Sequence, residues 1–182
     1  MRHKTLWFIA ILPPDDVTQS VRTVQQEIAD FYGPSRALKV PVHITVASPF
    51  RYGEDENATF TPLLESFFTN ENTFSLELRN FGSFREDVIF IEVSPSLPLL
   101  EMHARLTTLL KENEIVVHDF RHGGFTPHAT VANRDVDAHT HRTLWREFNT
   151  RKFYAKFIVA DVALLRHDGN VWHVHQKFAL KK

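Results

Sequence analysis

Length, composition and charge exclude several classes of protein. The chain has 182 residues, of which 43% are hydrophobic and 16 are phenylalanine, so it can bury a substantial core as one domain or as two small lobes. Its 21 basic and 22 acidic residues argue against a protein that coats a polyanion through net charge, although a local phosphate pocket needs only a few donors. The absence of cysteine excludes disulfides, thiolate nucleophiles and zinc–thiolate sites, and we expect a cytoplasmic protein.

The N-terminal segment predicts a core strand and not a targeting signal. A short basic start precedes an apolar run over residues 6–12, which ends at Pro13-Pro14. This run is too short to span a membrane, and no small-residue cleavage site follows it directly. No later segment is long and apolar enough to cross a bilayer, so we expect no membrane partner.

Apolar spacing and turn residues predict alternating strands and helices in the N-terminal part of the chain. The strand at 6–12 is followed by a helix that starts after Pro13-Pro14 and ends at Gly33-Pro34-Ser35. The further predictions are a strand at 37–47, a loop at 48–53, a helix at 62–68 with Thr61 as its N-cap, a strand at 74–81 and a turn at Gly82-Ser83.

The C-terminal part repeats this order and adds one strand. Its predicted elements are a strand at 88–93, a helix at 97–110, a polar loop at 118–124, a strand at 127–132, a helix at 137–149, and strands at 153–165 and 171–178 that a turn containing Asp168-Gly169 joins. From the shared order we infer a single domain made of two duplicated halves, at about 1–83 and 88–182, packed about a pseudo-twofold axis.

Two of the predicted strands carry the same pattern of a histidine followed two positions later by a threonine. They are Val42-His43-Ile44-Thr45-Val46-Ala47 and Pro127-His128-Ala129-Thr130-Val131-Ala132. Side chains alternate between the two faces of a strand, so the imidazole and the hydroxyl of each copy project together while the apolar residues face the core. This repeated pair is the candidate functional site.

Context separates these two copies from chance matches. The pattern His-x-Thr occurs four times in the chain, and the other two copies are His3-Lys4-Thr5 and His141-Arg142-Thr143. On a strand the middle residue would face the core, where Lys4 or Arg142 would be costly to bury. We therefore set these two copies aside.

Two histidines facing each other across a cleft can act as a general base and a general acid. The ordinary pKa of imidazole, about 6.5, makes both the neutral and the protonated form available near neutral pH. A nearby threonine hydroxyl can donate a hydrogen bond to a non-bridging phosphate oxygen, which stabilises developing charge without a metal. This combination suits hydrolysis of a phosphodiester.

The two segments at 41–50 and 125–132 resemble the paired motifs of the two-histidine (2H) phosphoesterase superfamily, which includes the 2′-5′ RNA ligase-like proteins and the cyclic nucleotide phosphodiesterases. The resemblance implies an α+β, bilobal fold with two pseudo-symmetric antiparallel β-sheet lobes and outer helices around a central cleft. It also implies metal-independent opening of 2′,3′-cyclic phosphates on RNA or nucleotide ends, and in some members reversible 2′-5′ ligation.

Transferred onto this sequence, the resemblance assigns the catalytic roles to His43 and His128 and phosphate binding to Thr45 and Thr130. Which histidine is the base depends on the side of the leaving oxygen, and the sequence leaves this open.

Three flanking residues are further candidates for substrate binding. Many members of the superfamily carry a basic residue where this chain has Asn133, so Arg134 is the candidate phosphate contact, although two neighbours on a strand point in opposite directions. Phe50 and Phe125 flank the motifs and could stack on a base, with core packing as the alternative for each.

Two other functions are open at this point. A non-enzymatic RNA- or nucleotide-binding module could use the same cleft. A metal-dependent hydrolase could use His118 with His122 or His173 with His175, but neither pair has a convincing third ligand, so we expect no metal and no cofactor. The expected substrate is RNA or a nucleotide with a cyclic phosphate end, and the expected oligomeric state is a monomer.

Overall fold

The structure, a computed structural model, describes residues 4–53, 57–117 and 124–182. In these ranges the elements are β1 (Lys4–Ile11), α1 (Asp15–Tyr32), a 3₁₀ helix (Arg36–Lys39), β2 (Ile44–Gly53), α2 (Asn57–Thr69), β3 (Phe74–Phe84), β4 (Val88–Val93), α3 (Leu97–Glu112), β5 (His128–Asn133), α4 (Ala138–Phe148), β6 (Tyr154–Val159), β7 (Asp161–His167) and β8 (Trp172–Ala179).

The strands form one eight-stranded sheet in the order β6-β3-β4-β5-β2-β1-β7-β8. Each pair of neighbouring strands is antiparallel. The register between β2 and β5 is a single pair, Ile44 opposite Ala129, so the sheet consists of two four-stranded halves that meet at a narrow junction. The α+β class with antiparallel strands and outer helices is confirmed.

The two halves of the sheet do not coincide with two halves of the sequence. β1 and β2 lie beside β7 and β8 from the C-terminus, whereas β4 and β5 lie beside β3 and β6. Each half of the sheet places a motif strand, β2 or β5, at the central junction. The duplication at 1–83 and 88–182 stays a prediction.

One face of the sheet and the helices form the main core. The residues Val17, Val21, Val24 and Ile28 line one side of α1 at helical spacing and are buried. Ile44 and Ala129 at the junction belong to the same core and are completely buried. Burial of these two residues turns the residues on either side of them towards the opposite face of the sheet.

The start of the first motif strand differs from the prediction of a strand at 37–47. Arg22 donates hydrogen bonds to the carbonyl oxygens of Ala37, Leu38 and Val40, and residues 36–39 form the 3₁₀ helix instead. These carbonyls are therefore taken up by a side chain and not by a neighbouring strand. The strand begins at Ile44, one residue after the histidine.

The predicted loop at 48–53 is wrong, because these residues continue β2. They pair with β1, with Phe50 opposite Trp7, and the register shifts between Trp7 and Ile9. Such an irregularity accommodates Pro49, which has no N–H to donate to the ladder. The sequence signals a turn here, whereas pairing with β1 keeps the segment extended.

Three further boundaries differ from the predictions. The helix expected at 62–68 spans Asn57–Thr69, so Pro62 lies inside it and Thr61 is not its N-cap. The predicted turn residues Gly82 and Ser83 lie within β3, opposite Phe90 and Ile89. The strand expected at 153–165 is two strands that pair with different partners, β6 with β3 and β7 with β1. The loop predicted at 118–124 lies outside the described residues except for its last position.

Within the part of the chain that the structure describes, none of the helices is long and apolar enough to cross a membrane.

Candidate active site

The register at the sheet junction brings the four motif side chains together. Ile44 of β2 lies opposite Ala129 of the antiparallel strand β5. Continuing this antiparallel register by one residue in each direction places His43 on the side of Thr130 and Thr45 on the side of His128. All four side chains project from the face opposite to the buried pair, and all four are half-buried.

The two imidazoles are held by the same hydrogen bond. Nδ1 of His43 donates to the carbonyl oxygen of Pro41 at 2.7 Å, and Nδ1 of His128 donates to the carbonyl oxygen of Thr126 at 2.7 Å. A carbonyl oxygen only accepts, so in both rings Nδ1 carries the hydrogen. In the neutral ring this leaves the Nε2 lone pair available to accept a proton.

Burial lowers the pKa of both histidines from the ordinary value of imidazole. For His43 the effect of burial is opposed by the hydrogen bond to the Pro41 carbonyl and reinforced by the nearby charges of His128 and Arg22. For His128 burial is again the main cause, opposed by the hydrogen bond to the Thr126 carbonyl. The site without an anion therefore favours neutral imidazoles, and adding a proton to one ring disfavours adding one to the other.

Aromatic rings pack against each histidine from the neighbouring strand. Phe8 on β1 lies 5.0 Å from the His43 ring, and Phe90 on β4 lies 4.9 Å from the His128 ring, measured between ring centroids. A second ring covers each phenylalanine, Trp172 at 4.5 Å from Phe8 and Phe84 at 4.2 Å from Phe90. Each histidine thus has an apolar support that explains its partial burial, and Phe84 also contacts His128 directly, with ring centroids 4.9 Å apart.

Gly82 on β3 makes the position of the Phe90 ring possible. A Cβ atom at residue 82 would lie 2.4 Å from Cε2 of Phe90 and 2.9 Å from Oε1 of Glu92. These distances are shorter than van der Waals contact, so any larger residue would displace the ring that lies against His128.

Two helices connect to the motif strands through side-chain hydrogen bonds. Gln25 on α1 donates from Nε2 to the carbonyl oxygen of Thr130 on β5 at 2.9 Å, and His103 on α3 donates from Nδ1 to the carbonyl oxygen of Val46 on β2 at 2.8 Å. In chain order α1 precedes β2 and α3 precedes β5, so each helix contacts the motif strand that it does not directly precede. We call these two bonds the crossed contacts.

The crossed contacts were not expected from the sequence, although one signal of them was present. Gln25 is a polar residue beside Val24 on the apolar side of α1, and it is 3% exposed. A buried polar side chain needs a partner. Arg22 also donates to Oε1 of Gln25 at 2.9 Å and to the Val40 carbonyl at 2.6 Å, so it links this contact to the segment before His43.

The flanking aromatic residues differ in their surroundings. Phe50 is 1% exposed and packs in the core edge-on against Phe60, with ring centroids 5.7 Å apart. The structure thus corrects its assignment as a substrate-binding residue, because a ring enclosed on all sides cannot stack on a base. Phe125 is half-buried and stacks on His103, with centroids 3.7 Å apart and the planes 8° from parallel.

Arg134 lies next to the site and is exposed. Its backbone is in the left-handed region, with φ of 66°, so the chain turns immediately after β5. Arg134 lines a cavity of about 220 Å³ together with His43, Thr45, Phe8 and Trp172. Neighbouring residues on a strand point in opposite directions, but Asn133 and Arg134 both line this cavity because the chain turns at Arg134.

The histidines considered as metal ligands do not form a cluster where they are described. His173 donates from Nε2 to Asp168 at 2.6 Å, and within 4–53, 57–117 and 124–182 no three metal-ligating side chains converge. His118 and His122 lie outside the described residues. His141, which belongs to one of the two His-x-Thr copies set aside above, is buried in α4, where its Nε2 is 2.7 Å from Oγ of Ser83.

A comparison with protein families identifies the group to which the site belongs. The profile of the 2′-5′ RNA ligase superfamily matches residues 13–171, which include both motifs, the junction and all four α-helices. The chain belongs to the 2′-5′ RNA ligase superfamily.

Sequence relatives of this superfamily member are bacterial proteins. A Bacillus cytotoxicus protein named as a candidate phosphoesterase is 30% identical over 156 residues, which cover 83% of this chain and 85% of the relative. A Bacillus cereus protein with the same kind of name is 29% identical over 158 residues, with the same coverage. Membership of this superfamily places the chain among the phosphoesterases.

Solved structures show the same fold at lower identity. Escherichia coli LigT in its apo form superposes with a TM-score of 0.70 at 16% identity, covering 99% of both chains. A Thermus thermophilus protein superposes with a TM-score of 0.67 at 22% identity, covering 96% of this superfamily member and 97% of its own chain. LigT has been crystallised with 3′-AMP, and that complex has a TM-score of 0.67 at 17% identity, covering 99% of this chain and 100% of its own.

Proposed function

We propose that this protein opens 2′,3′-cyclic phosphates on RNA or nucleotide ends by metal-independent general acid–base catalysis. His43 and His128 share the acid and base roles, and Thr45 and Thr130 bind the phosphate. Arg134 is the proposed cationic contact at the edge of the site, and Phe125 the proposed aromatic contact.

The observation that carries this proposal is the matched hydrogen bond of the two imidazoles. Each ring donates from Nδ1 to a carbonyl oxygen two residues earlier, which leaves both Nε2 atoms for proton transfer. A purely structural pair of histidines has no need to share one tautomer. An acid–base pair needs it, because each Nε2 must exchange a proton with the substrate or with water.

The proposed reaction follows from these positions. Nε2 of the neutral histidine takes a proton from water, and the water oxygen attacks phosphorus. The bond from phosphorus to the 2′ or the 3′ oxygen breaks, and the protonated histidine donates its Nε2 proton to that leaving oxygen. Hydroxyls of Thr45 and Thr130 donate hydrogen bonds to the non-bridging oxygens. Water is added, and the product is a nucleoside 2′- or 3′-monophosphate end.

Comparison with LigT supports a nucleotide as the substrate class. That protein shares the fold and has been crystallised with 3′-AMP, ATP, NADP+ and phosphate. The same site would accept a ribose 5′-hydroxyl in place of water, which joins two RNA ends through a 2′-5′ bond, so we include ligation in the proposed activity. The expected monomer and the expected cytoplasmic location are part of the same proposal.

The test uses nucleoside 2′,3′-cyclic phosphates and short RNA with a cyclic phosphate end, after exhaustive chelation, with products identified by phosphorus NMR. We expect His43→Ala and His128→Ala each to reduce kcat by about 10²–10⁴-fold while the thermal unfolding temperature changes little. His173→Ala is the control, because His173 is exposed and bonded to Asp168. Turnover close to wild type in both site variants would reject the assignment.

Two other outcomes identify the alternative functions. Binding of the same nucleotides without any turnover would identify a non-enzymatic binding module. Turnover that chelation abolishes and a divalent metal restores would identify a metal-dependent hydrolase.

A further inference from the structure

The cavity beside His43 has a wall of three cationic side chains, of which Arg36 and Lys39 have no part in the proposed reaction. Arg36, Lys39 and Arg134 line it together with His43 and Thr45. Among the described residues that line this cavity, none is an aspartate or a glutamate. This concentration of positive charge stands in a chain whose formal net charge is −1.

The local fold joins the two backbone segments that carry Arg36 and Arg134. The carboxylate of Asp135 accepts hydrogen bonds from the backbone N–H groups of Ser35 at 2.8 Å and Arg36 at 2.9 Å. Asp135 directly follows Arg134, so this contact joins the turn after β5 to the start of the 3₁₀ helix. The Asp135 carboxylate therefore bonds backbone N–H groups and not a guanidinium. Among the ion pairs of the described residues, none joins Arg36 or Arg134 to a carboxylate.

Clustered charges of one sign repel each other, and the repulsion is relieved when an anion binds between them. The scissile phosphate itself lies between His43 and His128 in the proposed reaction, with a threonine at each histidine. The three cations line the same cavity as His43, whereas His128 is not among its lining residues. They therefore suit a different anionic group of the same substrate.

Cavity size supports an extended substrate. A complete small-molecule pocket has a volume of about 300–1,000 Å³, whereas this cavity measures about 220 Å³ and opens beside the catalytic side chains. A substrate whose reacting end lies between the histidines would place a further part of itself in this cavity.

We propose that Arg36 and Lys39, with Arg134, bind a second phosphate on the nucleoside that carries the cyclic phosphate. This inference rests on the proposed function and specifies its substrate. The second phosphate is either a 5′-terminal phosphate or the phosphodiester to the preceding nucleotide of an RNA chain. In both cases a nucleoside with a cyclic phosphate alone is the poorer substrate.

The experiment compares three substrates that differ in the second phosphate. These are adenosine 2′,3′-cyclic phosphate, the same nucleotide with a 5′-phosphate, and a diadenosine RNA that ends in a 2′,3′-cyclic phosphate. We expect kcat/KM for at least one of the two larger substrates to exceed that for the first by about tenfold. A preference for the second substrate identifies a terminal phosphate, and a preference for the third identifies a phosphodiester.

Charge-neutral variants test the residues. Arg36→Gln and Lys39→Gln should each remove most of that preference and leave kcat/KM for adenosine 2′,3′-cyclic phosphate unchanged, and the preference should fall as salt is raised. Arg146→Gln, an exposed arginine on α4, is the matched control and should change none of the values. Equal kcat/KM for all three substrates in the wild type overturns the proposal, as does an equal loss on all three in the Arg36 and Lys39 variants.

A binding measurement separates failure of this inference from failure of the proposed function. If the wild type turns over none of the substrates, calorimetry compares adenosine 3′-phosphate with adenosine 3′,5′-bisphosphate. Tighter binding of the bisphosphate that Arg36→Gln removes supports the second phosphate site without the reaction. Equal affinity for the two nucleotides overturns it.

Discussion

The side-chain amide of Gln25 donates a hydrogen bond to the backbone carbonyl of Thr130 at 2.9 Å, although the two residues are 105 positions apart in the chain. Gln25 is buried within α1, and Thr130 is the threonine of the second motif. The strands β2 and β5 are joined to each other by one registered pair of residues. The crossed contacts add a hydrogen bond from α1 to β5 and one from α3 to β2. Positioning of the site therefore depends on residues that touch no substrate.

Replacement of Gln25 by methionine tests this dependence. Gln25→Met keeps the size of the side chain but leaves the Thr130 carbonyl without its donor, which should lower the free energy of unfolding by about 1–3 kcal/mol in urea titration. We also expect a lower kcat on cyclic phosphates, because the Thr130 hydroxyl loses its fixed position. Gln26→Met, on the exposed side of the same helix, is the control and should cost less than about 0.5 kcal/mol. Equal stability and activity in both variants would show that the contact is dispensable.

The threonine hydroxyls should matter for chemistry more than for folding. Thr45→Val and Thr130→Val keep the shape of the side chain and remove a donor to the phosphate, so each should lower kcat by about 10²-fold, as loss of one donor to a developing charge does elsewhere. Thr45→Ser and Thr130→Ser retain the hydroxyl and should keep most of the activity. Steady-state kinetics decides: valine variants as active as the serine variants would remove the threonines from the mechanism.

The pH dependence of kcat/KM follows from the lowered pKa of His43 and His128. One ring must be neutral and the other protonated, so activity falls at low pH when the base gains a proton and at high pH when the acid loses one. Both pKa values lie below about 6.5, so we expect a bell-shaped profile whose alkaline limb also lies below that value. Stopped assays across the acidic and neutral range measure it, and an alkaline limb well above the pKa of ordinary imidazole would contradict the assignment.

A methyl group at residue 82 should disturb His128 through Phe90. The Cβ of Gly82→Ala would meet Cε2 of Phe90 at 2.4 Å, and overpacking of this kind costs about 1–3 kcal/mol. We expect both stability and kcat to fall, because the Phe90 ring lies against His128. The smaller side chain of Phe90→Leu should restore part of both losses in the double variant. Strictly additive effects of the two substitutions, measured by denaturation and kinetics, would show that they do not act through the same contact.

Local pattern in the sequence was sufficient for the two motifs and for most elements near them. The strand β4 has the bounds expected from its apolar run, and α3 begins where expected, at Leu97. Alternation along a strand also placed His43 with Thr45 on one face, because the side chains of residues i and i+2 always share a face. These features depend on residues close together in the chain.

Partner choice was decided only by the tertiary structure. Alternation of apolar residues indicates that Ile44 and Ala129 face a core, but not that they lie opposite each other at the sheet junction. It also does not indicate that residues 48–53, which were predicted as a loop and include Phe50, continue the strand. The crossed contacts of Gln25 and His103 are likewise invisible in local pattern, since each joins a helix to a strand outside its own part of the sequence. Hydrophobic periodicity indicates which side of a helix or strand is buried. Which other helix or strand packs on that side is decided by the free energy of contacts between residues that are distant in the sequence.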